Sequence, residues 1–341
     1  LSAIGDVINT IPALVALRRN FPQSFIGWAV EKKARDIVEP YLKDNYLNKV
    51  FILERQGNII NRISDAHKLV KELREYNFDI AVDFQGNLKS GFITYLSDAQ
   101  TCIGMKPSKE CNTLFTDHKI VLPKEPINRV ARNLHIIQSL GIDTSVLKWE
   151  AIPPPFSPED ELFADEFISR NNPENKPLVV LHPGTSAFGI FKRWAPDKYT
   201  QLADKLIGSL NACCVISWGG REQDLAESIA SKMTPKPVIA PEIITLNKSA
   251  AIFKKARLFI GSDSAPLHLA NLVGTQVIGL YGPKDPVIYA PYYMGQPNKP
   301  IIVKKDLPCS PCKKRKCSDP ACMESISVSD VLKEAVKILN C

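Results

Sequence analysis

No apolar run in these 341 residues approaches the ~20 that a bilayer span needs, so any membrane association has to be peripheral. No G-x-G-x-x-G follows a strand-like segment, and the nearest phosphate-loop text, from Gly184 to Lys192, misplaces its lysine. Dehydrogenase and P-loop readings both weaken. No two aspartates stand two residues apart, so the Asp-x-Asp pair that can hold a divalent metal on a nucleotide diphosphate is missing. A transfer reaction here would need organic cations and backbone dipoles instead. No secretory leader is visible, and with 45% hydrophobic and 23% charged residues there is no bias toward disorder, collagen or coiled coil.

What is present is an ordinary globular composition long enough for about two domains at ~100 to 200 residues each. The chain opens at Leu1 on the loop-like text LSAIGDV with no strand before it, from which we expect an N-terminal stretch ahead of it. Lys and Arg outnumber Asp and Glu by 43 to 36, which favours anionic partners. The excess concentrates in one segment: Lys304, Lys305, Lys313, Lys314, Arg315 and Lys316 face only Asp306. A solvated charged loop and an anion-binding surface are both open for it. Nine cysteines, five of them scattered, suit a reducing cytoplasm.

Apolar segments of strand length alternate with helical patterns throughout, which predicts parallel sheets with crossover helices. Strands are expected at 25–30, 49–53, 79–83 and 119–122, then at 177–182, 212–218, 237–240, 257–260 and 276–281. Helices are expected at 64–76, 197–210, 221–232, 247–255 and 265–273. Residues 151–158 contain three consecutive prolines, which fit neither a helix interior nor a central strand. We read them as an extended linker between an N-terminal domain, 1–150, and a C-terminal domain, 158–341. Two doubly wound α/β domains follow, and in such sheets ligands bind beyond the carboxyl ends of the strands.

The polar text lies at those ends. Asp263, Ser264 and Pro266 open a predicted helix whose N-terminus suits an anion, with either Asp263 or Ser264 able to cap it and His268 about one turn inside. Upstream, His182-Pro-Gly184-Thr185-Ser186 is followed by Lys192-Arg193-Trp194, a glycine turn with hydroxyls and cations of the kind a diphosphate needs. Trp194 reads as a core anchor. Glu222, after Gly219 and Gly220, could accept from ribose hydroxyls or serve as a first-turn helix acid. In the first domain, Asp6 could be an N-cap, but Thr10 and Pro12 offer a helix start of their own, which leaves Asp6 to face an interdomain cleft. Asp83-Phe-Gln85-Gly86-Asn-Leu-Lys89-Ser90 makes a second polar turn on the side where an acceptor would lie.

Taken together, Ser2 to Pro12, Asp83 to Ser90, His182 to Ser186, Lys192 to Trp194, Ser262 to His268 and Tyr281 to Pro286 resemble the ADP-heptose:lipopolysaccharide heptosyltransferases of glycosyltransferase family 9, six motifs in order over nearly the whole chain. The resemblance implies a GT-B fold, two Rossmann-like parallel-sheet domains facing a central cleft, and an expected first strand ahead of Leu1. It implies inverting, metal-independent transfer of heptose from ADP-heptose to the lipid A core acceptor, on the cytoplasmic face of the inner membrane. Asp6 matches the family's general base, and Thr185, Ser186, Lys192, Glu222, Asp263 and His268 match donor positions. Physically, Lys192 and the helix start at Ser264 would stabilise the departing ADP, and Ser2, Gln85 and Lys89 fall on the acceptor side. The chain departs from the best-known members at Phe188-Gly-Ile-Phe191, where the choice of sugar or acceptor stays open.

Cys309, Cys312, Cys317 and Cys322 interleave with the basic run and could enclose a structural zinc or remain free thiols. No cofactor is expected for catalysis. A basic zinc-knuckle nucleic-acid binder is the rival of another class, though the rest of the chain argues against a nucleic-acid partner, and a relative using another nucleotide sugar is the nearer alternative. An anionic membrane surface is the expected partner for Lys304 to Lys316.

Overall fold

Among the described residues of the computed structural model, all eleven strands run parallel to their partners. It describes residues 3–55, 57–108, 110–145, 147–220, 222–241, 245–312, 317 and 319–340. The chain divides into two units, Leu1–Pro155 and Phe156–Cys341.

Unit 1 holds β1 (Gly27–Glu31) paired with β2 (Lys49–Leu53), and separately β3 (Ile80–Val82), β4 (Thr101–Lys106) and β5 (His118–Val121) in the order β3-β4-β5. No ladder joins β1 to β3 among the described residues. A cavity of about 390 Å³ is lined there by Gly27, Trp28 and Ala29 on β1 and by Ile80, Ala81 and Val82 on β3. The opening residues are helical rather than loop-like: Ala3 carbonyl oxygen accepts from the N–H groups of Asp6 and Val7, and a helix spans Ile4–Ile8.

Unit 2 is one six-stranded sheet of β6 (Leu178–His182), β7 (Cys213–Ile216), β8 (Val238–Ile239), β9 (Leu258–Ser262), β10 (Val277–Tyr281) and β11 (Ile301–Lys304), in the order β11-β10-β9-β6-β7-β8. Every residue of β6, β9 and β10 is buried, as a central parallel strand covered on both faces requires. The chain winds outward from β6 to β8, then returns to β9 beside β6, which makes the β6/β9 boundary the topological switch point.

Strands β4 and β11 go unpredicted by pattern. In β4, Gly104 interrupts the run because a Cβ there would lie 2.6 Å from Thr116; β11 is four residues beside a basic stretch. The proline-rich segment ends in a helix, Pro158–Asn171, that the linker reading misses. Ser157 and Asp160 form a capping box, and Pro158 occupies the first turn, where its missing N–H costs nothing. The helix expected at 64–76 begins earlier, as Ile59–Arg74, because Asn58 caps it.

Candidate functional site

In unit 2 the polar residues gather beyond the carboxyl ends of β6, β7 and β9. Lys192 donates to the Asp263 carboxylate at 2.9 Å and to the Asp263 carbonyl oxygen. His268 Nε2 stands 3.7 Å from the other Asp263 oxygen. Burial alone would push the Asp263 carboxyl up, but His268 and Lys192 outweigh it and hold it below the usual carboxylate value. Asp263 therefore does not cap the helix Ala265–Leu272, and neither does Ser264. Ser264 takes the N-cap position without a side-chain bond, and its hydroxyl oxygen is buried with no partner. Both capping expectations are corrected: the cation at Lys192 competes successfully for Asp263.

A second ion pair joins Arg193 to Glu222, whose carboxylate also accepts from Thr185 N–H at 2.8 Å, while Arg193 donates to Thr185 Oγ1 and carbonyl oxygen. A Cβ on Gly184 would fall 1.9 Å from Glu222 Oε2, so the glycine is what lets this carboxylate lie against the turn. Burial pushes the Glu222 carboxyl up, with Thr185 and Arg193 opposing it. Glu222 stands at the N-cap position of the helix Gln223–Lys232 without capping it. Arg193 is the residue that motif reading undervalued; the signal was its place beside Lys192 after a hydroxyl-bearing turn. Ser186 is exposed at the start of the 3-10 turn Ala187–Lys192. His182, buried and stacked on Phe259, bonds Ser217 through Nδ1, and burial with Arg193 nearby lowers it to about 4. It is a neutral structural group at pH 7. Trp194 is an anchor, with Nε1 donating to Ile326 carbonyl oxygen.

In unit 1 Asp6 lies in the first turn of Ile4–Ile8 and lines the cavity beside β1 and β3. Arg129 Nη1 donates to Asp6 Oδ1 at 3.0 Å. Thr10 Oγ1 donates back to Asp6 carbonyl oxygen rather than capping the next helix, and buried Asn133 donates to Thr10 Oγ1 and Asn9 carbonyl oxygen. Asp83 is wholly structural: it accepts from Gln85 N–H, Gly86 N–H, Ser90 Oγ and Asn112 Nδ2. Gly86 has φ +68, the left-handed region. That turn leaves Gln85 Oε1 buried without a partner. Lys89, with Lys33 and Arg55, surrounds the buried Glu31 carboxylate. Burial would raise this acid, but Lys33 and Lys89 hold it down at about 2. Ser2 lies outside the described residues.

The eight described cysteines are all free, and Cys322 is pushed up by burial and by Cys309 and Cys317. Among the described residues no group of three or more His, Cys, Asp or Glu side chains is placed to hold a metal ion. The segment is tied instead to the turn after β10, where Ser310 Oγ donates to Gly282 carbonyl oxygen and Cys312 N–H to that of Pro283. Lys313 to Lys316 lie outside the described residues. No helix among the described residues is long and apolar enough to cross a membrane.

Two Rossmann-like parallel-sheet units, one with ion-paired cations and a bare helix start at its switch point, are the architecture of the GT-B class. The solved structures bear out the fold. The family 9 glycosyltransferase of Veillonella parvula superimposes with a TM-score of 0.83 at 24% identity, over 99% of this chain and 95% of its own. An Escherichia coli heptosyltransferase determined with ADP gives 0.74 at 18%, over 99% and 97%. The model of glycosyltransferase family 9 (heptosyltransferase) matches residues 66–322, and the chain belongs to that family. Lipopolysaccharide heptosyltransferase 3 of Escherichia coli is 28% identical over 84% of this chain and 83% of its own length. Lipopolysaccharide heptosyltransferase 1 of Pseudomonas aeruginosa is 24% identical over 98% and 90%.

Proposed function

We propose that this glycosyltransferase moves heptose from ADP-heptose to the inner core of a lipopolysaccharide acceptor, with inversion and without a metal, at the cytoplasmic face of the inner membrane. The observation that carries the reading is the buried, partnerless Ser264 hydroxyl at the start of Ala265–Leu272, adjoining the residue whose carboxylate pins Lys192. A hydroxyl, a helix dipole and a fixed ammonium converge where a diphosphate would lie. Thr185, Ser186 and His268 complete the donor side, with Glu222 set to receive ribose hydroxyls. The names of the relatives above supply the sugar and the acceptor.

In the step itself, the acceptor hydroxyl attacks the anomeric carbon, its proton passes to Asp6, and the bond from that carbon to the diphosphate oxygen breaks. The electron pair leaves with ADP, whose added charge falls to Lys192 and the helix start. Because Asp263 and Glu222 already neutralise Lys192 and Arg193, the donor has to share these cations with their carboxylates. The cations are thereby positioned before the donor arrives. Gln85 and Lys89 lie on the acceptor side in this reading, as does Ser2.

The unit boundaries suit an acceptor-binding first unit and a nucleotide-sugar-binding second one. Incubation with a panel of nucleotide sugars and a truncated lipid A core acceptor tests the whole reading. ADP-heptose should be consumed with release of ADP; turnover of another nucleotide sugar alone would move the chain to a different specificity within its family.

A further inference from the structure

Asp6 sits in a five-residue helix, Ile4–Ile8, whose N-terminus has no side-chain cap. A helix that short does not hold itself in water, so its place has to come from its neighbours. The helix Arg129–Gln138 carries Arg129, Arg132 and Asn133 at positions i, i+3 and i+4, which share one face. Arg129 Nη1 donates to Asp6 Oδ1 at 3.0 Å. Arg132 donates from Nε and Nη2 to Asn133 Oδ1, and from Nη2 to Phe84 carbonyl oxygen. Because a guanidinium only donates, the Asn133 side-chain oxygen faces it and the amide N–H groups turn the other way, onto Thr10 Oγ1 at 3.0 Å and Asn9 carbonyl oxygen at 3.1 Å. Thr10 Oγ1, receiving that bond, gives its own proton to Asp6 carbonyl oxygen at 2.8 Å. One helix grips Asp6 at both ends, the carboxylate directly and the main chain through Thr10.

Arg129 stands against the dipole of its own helix. It is the first residue after the Asn128 cap, at the positive end, where a basic side chain is disfavoured, and the first turn holds no acid to offset it. The ion pair with Asp6 supplies that offset, and it is partly shielded, with the two side chains exposed by 19% and 36%. The same helix face reaches the second polar turn of unit 1, since Arg132 holds the carbonyl of Phe84, and the next residue, Gln85, lines one cavity with Asp6. A general base works only within hydrogen-bond reach of the hydroxyl it deprotonates, and a misplacement of about 1 Å is enough to slow the step. A carboxylate on so short a helix needs such a brace.

We propose that Arg129 is a positioning residue for the transfer, orienting the Asp6 carboxylate without touching either substrate. The inference rests on the role of Asp6 in the proposed function. The test follows turnover of ADP-heptose on a truncated core acceptor by Arg129→Gln, Arg129→Lys, Asp6→Asn and the variant carrying both Arg129→Gln and Asp6→Asn, with melting temperature and ADP affinity measured beside it. Arg129→Gln should lower kcat about tenfold, the scale of a misplaced reacting group, while KM for the acceptor and ADP affinity stay as they are. Arg129→Lys keeps the charge without the planar fork and should regain part of the loss. In the Asp6→Asn background, Arg129→Gln should cost less than about twofold more, because the carboxylate it orients is gone. If Arg129→Gln does not fold, Arg129→Lys carries the same cycle. Full additivity of the two substitutions would overturn the positioning role, and so would a rise in acceptor KM at constant kcat, which would make Arg129 a substrate contact. Normal turnover by Asp6→Asn would remove the base and its brace together, whereas a slow Asp6→Asn beside a normal Arg129→Gln would remove the brace alone.

Discussion

In unit 2 six parallel strands run without interruption from β11 to β8; in unit 1 five strands stand in two groups with a cavity between β1 and β3. The polar groups differ in the same sense. Those of unit 2 converge as ion pairs at a single switch point, with Lys192 on Asp263 and Arg193 on Glu222. In unit 1 the Asp83 carboxylate is taken up by shaping one turn, and Asp6 stands apart from it, held by Arg129. In the function proposed above, the fixed charge of unit 2 serves the donor and the cavity side of unit 1 serves the acceptor.

The largest effect that would sharpen this contrast is expected from Lys192→Ala. Removing the ammonium takes away charge stabilisation of the leaving ADP and leaves Asp263 buried with His268 alone. Steady-state kinetics should show kcat/KM lower by roughly 10²- to 10³-fold, with ADP affinity reduced in calorimetry. Undiminished turnover would show that fixed charge in unit 2 is not what drives departure.

Gly184→Ala should come next. Its Cβ would meet Glu222 Oε2 at 1.9 Å, so Glu222 must leave Thr185 and Arg193. ADP affinity should fall about tenfold, in the range expected when one charge-assisted hydrogen-bonded group is displaced. Unchanged affinity would mean that Glu222 serves only the turn.

The two units should also separate by pH. His182 is kept neutral in the fold at about 4, against 6.5 for an unburied histidine. As pH falls from 6.5 toward 4 the unfolded chain gains a proton that the fold refuses, so unit 2 loses stability, on the order of 3 kcal/mol in total. Glu31 in unit 1 is held at about 2 against an ordinary 4.5, so its contribution is intact above pH 4.5 and is lost only between 4.5 and 2. Hydrogen exchange followed by mass spectrometry at pH 6.5 and 5 should therefore show unit 2 amides losing more protection than those around Glu31. Parallel losses would contradict the assignment. The smallest effect concerns the edges: amides of β1 and β3 should exchange faster than those of β9 and β10, which are paired on both sides.

Much of unit 2 is legible in sequence because its strands are continuous apolar runs and its polar residues follow them directly. β6, β9 and β10 are buried throughout, so a run of Val, Ile and Leu ending in His182, Ser262 or Tyr281 marks both strand and site edge. What the text conceals is partnership. Asp263 and Ser264 have the form of caps, and only a lysine 71 positions away removes Asp263 from that role. Glu222 likewise meets Arg193 and Thr185 through a contact that depends on Gly184 lacking a side chain. In unit 1 the first turns of Ile59–Arg74 defeat a burial argument, since Ile59 and Ile63 have the periodicity of core residues yet stand exposed. β4 is hidden by Gly104, a residue placed for Thr116 rather than for strand propensity.

The account divides the chemistry, with the proton taken in unit 1 and the charge of ADP held in unit 2. Asp6→Asn tests that division most directly, measured for turnover of ADP-heptose on a truncated core acceptor and for ADP binding by calorimetry. The account predicts kcat lower by roughly 10²-fold or more, the scale of general base catalysis, with ADP affinity unchanged. Near-normal turnover, or a loss of ADP affinity equal to the loss of rate, would contradict it.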